Sequence, residues 1–354
     1  MAGGHIEGWS PESLESLDAC PVCEARTGQA VLYRTLRDKV YPDTPGAWDF
    51  YRCGGCGSGY FNPRPTPESV GRLYEAYYTH AHTDAPDYAQ LSLLGKLRRM
   101  LGNGYRNYRF GMHERPASVL GVLAAMLMPD YRALLDAGGR HLPRRPKGRL
   151  LDVGCGNGDF LLFAQRAGWQ AVGVEPDPKA VEVARARGLT VHLGGLETLA
   201  SEREAFDGMT LNHVIEHVHN PRATLADCYR LLKPGGWLWL ETPNLDAQGH
   251  ARYRENWVGL DIPRHLVVFT DRALLRLLQE VGFARVERLP YYPLCERVYA
   301  MSRVIAIGAS PHQPPPLPSE ERLLAQQAEV DARRRPEIRE FIMVRAWKTE
   351  PTYP

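Results

Sequence analysis

The alternation of apolar and polar positions divides the chain into stretches of different texture. From residue 149 onward, short β-type apolar runs (RLLDVG, QAVGVE, LTVHL, GMTLN, GWLWLE, ARVERL) alternate with helical stretches. A last run, EFIMVRAW, returns after a Pro-rich loop and the polar helix SEERLLAQQAEVDARR. This alternation predicts βαβ units around a parallel sheet. Residues 66–145 read as helical, from TPESVGRLYEAYY through LSLLGKLRRML and SVLGVLAAML. Residues 1–65 carry four cysteines, many glycines and prolines, and β-like runs such as AVLYRTL. The expected organisation is a cysteine module over 1–65, a helical cap over 66–145 and an α/β domain over 146–354. A helical insertion at about 291–335 is expected within that last domain.

Composition narrows the function classes. The 354 residues include 43 Lys plus Arg against 41 Asp plus Glu, a net charge of +2. Bulk charge this close to balance disfavours a nucleic-acid binder. No apolar run approaches 18 residues, so no membrane span and no membrane partner are expected. The N-terminal stretch lacks a signal-peptide core, and seven cysteines then fit a reducing, cytoplasmic setting.

The sharpest signal is LLDVGCGNGDF. A buried strand (Leu150, Leu151, Val153) runs into Gly154, Cys155, Gly156 and Gly158, and a helix follows. Glycines let the backbone approach a ligand closely, and strand–turn–helix is the context a nucleotide-type cofactor uses. The spacing is G-x-G-x-G rather than the dinucleotide G-x-G-x-x-G, and Asp152 stands just before the turn. A carboxylate there suits a ligand with a cationic amino group, such as S-adenosylmethionine, better than a pyrophosphate. Glu175, at the end of the next strand, is placed to accept ribose hydroxyls. Asn212, which ends the fourth strand of the domain on the same side of the sheet, is a further candidate to bind the cofactor, as is Cys155 within the turn.

With these residues in view, the chain resembles the class I S-adenosylmethionine-dependent methyltransferases over roughly 147–290 plus the last strand. The carriers are LLDVGCGNGDF, VGVEPDP, FDGMTLNHVIEHVHNP, LLKPGGWLWLETPN and PRHLVVFTDRALLRLLQEVGF. The resemblance implies a Rossmann-like seven-stranded sheet. It implies that Asp152 and the glycine backbone hold the methionine part of S-adenosylmethionine, and Glu175 the ribose. GGLET, with Leu196, would lie along the adenine. Gly195 stands where many relatives carry an Asp, so Glu197 or backbone groups near Leu196 would take its place.

The fourth strand ends in NHVIEHVHNP, which gathers His213, Glu216, His217 and His219; PRHLVVFT adds His265. One reading makes His217 the general base that removes the acceptor's proton, held by Glu216 or a backbone partner. A second makes His213, Glu216, His217 and His265 hold a divalent cation that activates an acceptor hydroxyl. This second set is similar to metal-assisted small-RNA methyltransferases, and ubiquinone-pathway O-methyltransferases show a comparable Glu-His pair. A third makes the Glu-His step structural. His219 is expected in exposed loop. Thr270 and Gly282 are the expected N-cap and terminator of the helix after His265.

Cys20-Pro-Val-Cys23 and Cys53-Gly-Gly-Cys56 form a CxxC…CxxC pair, the pattern of a closed structural Zn²⁺ site. Cys155, Cys228 and Cys295 read as packing. A zinc module ahead of a methyltransferase pattern resembles the sugar C-methyltransferases and related polysaccharide and natural-product methyltransferases. Tyr105, Tyr108, Trp257, Tyr291 and Tyr292 are candidates to line an acceptor site. The expected partner is a small-molecule acceptor; an RNA methyltransferase and a non-catalytic cofactor-binding protein are the alternatives. The oligomeric state stays open.

Overall fold

The computed structural model describes residues 6–74, 88–145 and 147–350. The part of the expected cap at 75–87 lies outside the described residues. The N-terminal part holds β1 (Leu14–Glu15), β2 (Gln29–Leu36), β3 (Trp48–Cys53), β4 (Gly59–Phe61) and β5 (Arg64–Pro65). Three helices follow: α1 (Leu93–Phe110), α2 (Leu120–Leu127) and α3 (Pro129–Gly138). The α/β domain then runs β6 (Arg149–Val153), α4 (Asp159–Arg166), β7 (Gln170–Glu175), α5 (Pro178–Ala186), β8 (Thr190–Leu193), β9 (Phe206–Asn212), α6 (Pro221–Leu231) and β10 (Leu232–Pro243). It continues through α7 (Gln248–Tyr253), β11 (Val267–Val268), α8 (Asp271–Val281), β12 (Arg285–Arg288), α9 (Cys295–Ala306), α10 (Ser319–Arg334) and β13 (Phe341–Trp347).

Seven strands form one sheet in the order β12-β13-β10-β9-β6-β7-β8. β6 pairs in parallel with both β7 and β9, β9 with β10, and β7 with β8. Only β13 is reversed, antiparallel to β10 and β12. The central strands read as continuous apolar runs because helices cover both faces. Leu151, Met209, Leu211, Leu238 and Leu240 are buried on the sheet among Leu225, Leu274 and Leu278 of the flanking helices. The order places β6 beside β9 where the strand sequence reverses direction, the crevice in which open α/β sheets bind ligands.

The stretch TPESVGRLYEAYY supplies only a single-turn 3₁₀ segment, Val70–Tyr74, within its described residues. The expected helices on LSLLGKLRRML and SVLGVLAAML are present as α1 and α2. Thr270 caps α8, its Oγ1 accepting the Ala273 N–H at 3.2 Å, and Gly282 ends it in the left-handed conformation.

The cysteine module is not closed on itself. Its sheet has the order β11-β4-β3-β2, so the outer strand comes from the α/β domain, with Val267 opposite Tyr60 and Val268 opposite Gly59. On its other side β11 is held by the Val267 N–H donating to Glu216 O (3.1 Å). Cys20, Val22, Cys53 and Tyr60 belong to the same apolar core as Leu266, Val267 and Phe269.

Candidate active site

The glycine turn leaves β6 with Gly154, Gly156 and Gly158 all at positive φ. At Gly158 an added Cβ would strike Leu189 Cδ1 at 2.2 Å, so glycine there is a packing requirement. At Gly156 an added Cβ would meet nothing within 4 Å; the backbone faces open space at the strand end. Glu175 closes one side of this space. Its Oε2 accepts the Gly156 N–H at 2.8 Å and its Oε1 the Asp177 N–H at 3.0 Å. Burial raises its pKa, and the two amides partly offset that.

Asp152 is fully buried. Its Oδ1 accepts from Thr210 Oγ1 (2.8 Å) and from Arg140 Nη1, which also reaches Thr210 Oγ1 at 3.0 Å. Burial raises the Asp152 pKa against the pull of Arg140. The other oxygen, Oδ2, is buried without a partner. An orphan acceptor in the low dielectric beside the glycine turn fits a ligand's cationic amino group. The Arg140 guanidinium carbon sits over Phe160, 3.7 Å from the ring centroid. It was not among the sequence candidates: it sits just before the linker HLPRRPKGR, and nothing local announces that its side chain crosses to β6. Cys155 is buried beneath the turn, and Leu196 is buried at the start of a 3₁₀ turn (Leu196–Leu199). Glu197 accepts the Gly195 N–H at 2.5 Å, so part of its carboxylate is spent on its own loop. Asn212 ends β9 in register with Glu241 of β10.

The histidines fall into two groups. His213, in a left-handed conformation, has Nδ1 3.0 Å from Glu216 Oε1 and Nε2 3.5 Å from Glu241 Oε1. Burial favours the neutral ring, but the two carboxylates outweigh it and raise the pKa to about 10. His213 is therefore a fixed cation near neutrality. Glu216 is completely buried, a setting that by itself favours the protonated acid, yet His213 and the neighbouring histidines hold it down to about 2. Its Oε2 also accepts from Thr242 Oγ1 at 2.9 Å.

His217 and His265 stack edge to face, 4.6 Å between ring centroids. The Nδ1 of His217 is 3.0 Å from Arg264 O, with Tyr74 Oη also at 3.0 Å; Nδ1 of His265 is 2.8 Å from Gly259 O. A carbonyl only accepts, so each Nδ1 carries the proton and each Nε2 keeps its lone pair in the neutral ring. Burial and the His265 ring hold His217 down to about 4. Ligand atoms from Glu216, His217 and His265 lie within 4.8 Å of one another. His265 Nε2 is 3.9 Å from Glu216 Oε1 and 3.8 Å from Asp261 Oδ2. Two imidazoles oriented by backbone carbonyls, with a carboxylate beside them, form a donor set suited to a divalent cation.

His219 corrects the expectation of an exposed loop. Its Nε2 is 2.9 Å from Pro65 O and its side chain is largely covered, which ties the loop to β5. The aromatic candidates separate as well. Tyr105 is buried among α1–α3 with its hydroxyl on Asp136, and Tyr108 is half exposed. Trp257 is buried and donates to Glu340. Tyr291 and Tyr292 line a cavity with Glu241, Leu289, Phe341 and Met343. There Tyr292 Oη meets both Glu241 oxygens (3.1 and 3.2 Å), and Phe341 stacks edge to face on His213.

Sγ atoms of Cys20, Cys23, Cys53 and Cys56 also lie within 4.8 Å of one another, with Cys20–Cys56 at 3.7 Å and Cys23–Cys53 at 3.6 Å. A tetrahedron of Zn–S bonds near 2.3 Å has edges of ~3.8 Å, close to these two separations, so the four thiols are grouped as a zinc site needs.

A family model described as "Methyltransferase domain" matches residues 127–288, a span that leaves out the cysteine module. The ubiquinone biosynthesis O-methyltransferase of Xanthomonas oryzae pv. oryzae is 41% identical over 138 residues, covering 37% of this chain and 54% of the relative. That of Paracidovorax citrulli is 31% identical over 176 residues, covering 44% of this chain and 71% of the relative. The chain spans about half the length of the curated relatives it matches first. Among solved structures, a SAM-dependent methyltransferase from Archaeoglobus fulgidus is 21% identical, covering 64% of this chain and 99% of that one, with a TM-score of 0.45. The glycine turn and the strand order accompany a family match that spans β6 to β12 and a relative covered over most of its length: the chain belongs to the methyltransferase-domain family.

Proposed function

We propose that the protein transfers a methyl group from S-adenosylmethionine to an oxygen of a small-molecule acceptor, with a divalent cation at Glu216, His217 and His265. One observation carries the reading. Two imidazoles, each with Nδ1 anchored on a backbone carbonyl, and a buried carboxylate place ligand atoms within 4.8 Å of one another at the mouth of the sheet. The name of the matched relatives, O-methyltransferase, supports an oxygen acceptor.

S-adenosylmethionine supplies a methyl group on a positively charged sulfur. Asp152, with its unpartnered Oδ2, and Arg140 beside it would hold the amino-acid end of that cofactor, Gly156 would leave room for it against the backbone, and Glu175 would accept from its ribose hydroxyls. A divalent cation, when bound, lowers the pKa of an acceptor hydroxyl. His213, pinned between Glu216 and Glu241, holds the buried Glu216 in its ionised form beside the site. The cavity beside it is bordered by Leu289, Leu294, Phe341 and Met343 and carries the Glu241 carboxylate, the Arg339 guanidinium and the rings of Tyr291 and Tyr292, a mixed lining that would suit an acceptor of mixed polarity. Water exclusion there keeps the reacting oxygen dry and oriented. Cys20, Cys23, Cys53 and Cys56 would hold a structural zinc.

The second reading has His217 take the acceptor proton directly through Nε2, and the lone pair left there favours it. Turnover on a panel of hydroxylated acceptors, followed as S-adenosylhomocysteine release, separates the two. The protein is dialysed against a chelator, shown by elemental analysis to lack the second metal, and re-supplied with Mg²⁺, Mn²⁺ or Zn²⁺. Activity that vanishes and returns supports the cation; full activity without it leaves His217 as the base.

A further inference from the structure

We infer that the hairpin of α1 and α2 docks the protein onto an anionic lipid bilayer as a peripheral surface. Large apolar side chains scattered singly over a protein surface need no explanation, but a contiguous group does. On α1, Leu93 is 86% exposed, and Leu94 and Leu97 are also open to solvent; on α2, Leu123, Met126 and Leu127 are each more than half exposed. Only Gly121 and Ala125 of α2 are buried.

The packing brings these residues to one end. The two helices cross where an added Cβ at Gly104 would lie 1.7 Å from Ser118 O and one at Gly121 would lie 1.9 Å from Leu101 O. Ser118 N donates to Met100 O at 3.0 Å, and Tyr131, just past α2, reaches Arg98 O at 3.5 Å. The hairpin is therefore antiparallel. The first turns of α1 and the last turns of α2 share a tip, which carries Leu93, Leu94, Leu97, Leu123, Met126 and Leu127, while Val119 and Leu120 extend the exposed apolar surface to the other end of α2.

Charge selects the occupant. Residues 91–147 hold 11 Lys plus Arg and three acids (Glu114, Asp130, Asp136), a net +8 (11 − 3) in a chain whose total is +2. Lys96, Arg98, Arg99 and Arg132 are interleaved with the apolar tip or stand beside it. Self-association through this face would set two such basic segments against each other. A phosphate backbone alone would leave the leucines without a partner. An anionic bilayer satisfies both features, with apolar side chains entering the acyl boundary and cations meeting lipid phosphates. No helix among the described residues is long and apolar enough to cross a membrane, so the contact is one of surface docking. It departs from the expectation of no membrane partner, which rested on the lack of a spanning run.

Flotation with vesicles of phosphatidylcholine alone, or of phosphatidylcholine with phosphatidylglycerol, tests this. The full chain should float with the anionic vesicles, float poorly with the zwitterionic ones, and lose binding as salt shortens the reach of the charges. Leu123→Asp with Leu127→Asp should weaken partitioning by about tenfold or more, and Arg98→Glu with Arg99→Glu by a similar factor. All four positions lie outside the cofactor and histidine sites, so circular dichroism and S-adenosylmethionine affinity should be unchanged. No flotation with anionic vesicles overturns the proposal. So does a stable dimer in sedimentation equilibrium that the Leu123→Asp/Leu127→Asp variant dissociates.

Discussion

Arg264 is the clearest place to test how the cysteine module and the histidine site depend on each other. Its side chain is completely buried. Nη1 donates to Asp38 Oδ2 of the N-terminal part at 2.7 Å, while Nε and Nη2 donate to Asp261 Oδ1 at 3.0 and 2.7 Å. The guanidinium also stacks on Tyr41, 4.6 Å from the ring centroid. Burial alone would favour a neutral guanidine, but Asp261 and Asp38 reverse this and raise its pKa above the ordinary value. Arg264→Met keeps much of the volume and removes the charge, which leaves two covered carboxylates without their cation. Breaking a buried ion pair from one side costs about 3–5 kcal/mol. For a chain of 354 residues that corresponds to a fall in Tm of about 4–7 °C. Asp38→Asn should cost less, about 1–2 kcal/mol, because Asp261 still balances the guanidinium and an amide oxygen can still accept from Val40 and Tyr41. The double variant should then cost less than the sum, with a coupling of about 2 kcal/mol in urea melts. An Arg264→Met cost under about 1 kcal/mol, or additivity within about 0.5 kcal/mol, would refute the reasoning.

Four further outcomes are expected. Glu340 is buried, and that burial lifts its pKa to about 7 against the Gly249 and Trp257 donors. The folded state then holds a proton that the unfolded chain releases near pH 4.5, so unfolding free energy should fall by ~3 kcal/mol as pH rises from 4.5 to 7 and level off above. Glu340→Gln should flatten that slope; an unchanged profile in pH-dependent melts would count against it. Arg140→Ala should weaken S-adenosylmethionine binding by about tenfold or more in calorimetry, since it removes a cation beside the glycine turn and leaves Asp152 with Thr210 alone; equal affinity would remove Arg140 from the site. Chelation of the cysteine cluster should lower the melting transition of the whole chain, because β11 is shared between the two parts; loss of the module's signal alone would show that they fold apart. Thr270→Ala should cost ~1 kcal/mol as a lost N-cap, and a melt identical to the parent would show that the cap is not needed.

Much of the sheet was legible because its signals are local. Strand runs, the glycine turn and the Thr270 cap each lie within a few residues of the chain, and periodicity reports them directly. The residues that pair across long separations were not legible. Arg140 meets Asp152 over a turn that no motif marks. The division of the histidines into a cation and an oriented pair depends on Glu241 of β10 and on Gly259 O and Arg264 O of the connection before β11, both remote in sequence from the histidine loop. His219 reads as loop from its neighbours and is covered only because β5 lies against it. The role of β11 was likewise hidden: two valines are too short a run to declare a strand, and their partner lies some 200 residues earlier.

That short strand limits how the molecule can be divided. Residues 264–270 give backbone groups to β4 on one side and to the Glu216 loop on the other, and they carry His265 between the two. An excised α/β domain would present an unpaired β11 edge with Leu266 and Phe269 no longer covered, a surface prone to pairing with other chains. A transplanted cysteine module would lack its outer strand. The two parts are exchangeable between proteins only if this seven-residue segment travels with the module, so recombination at the apparent boundary after residue 65 would break the pairing that holds both.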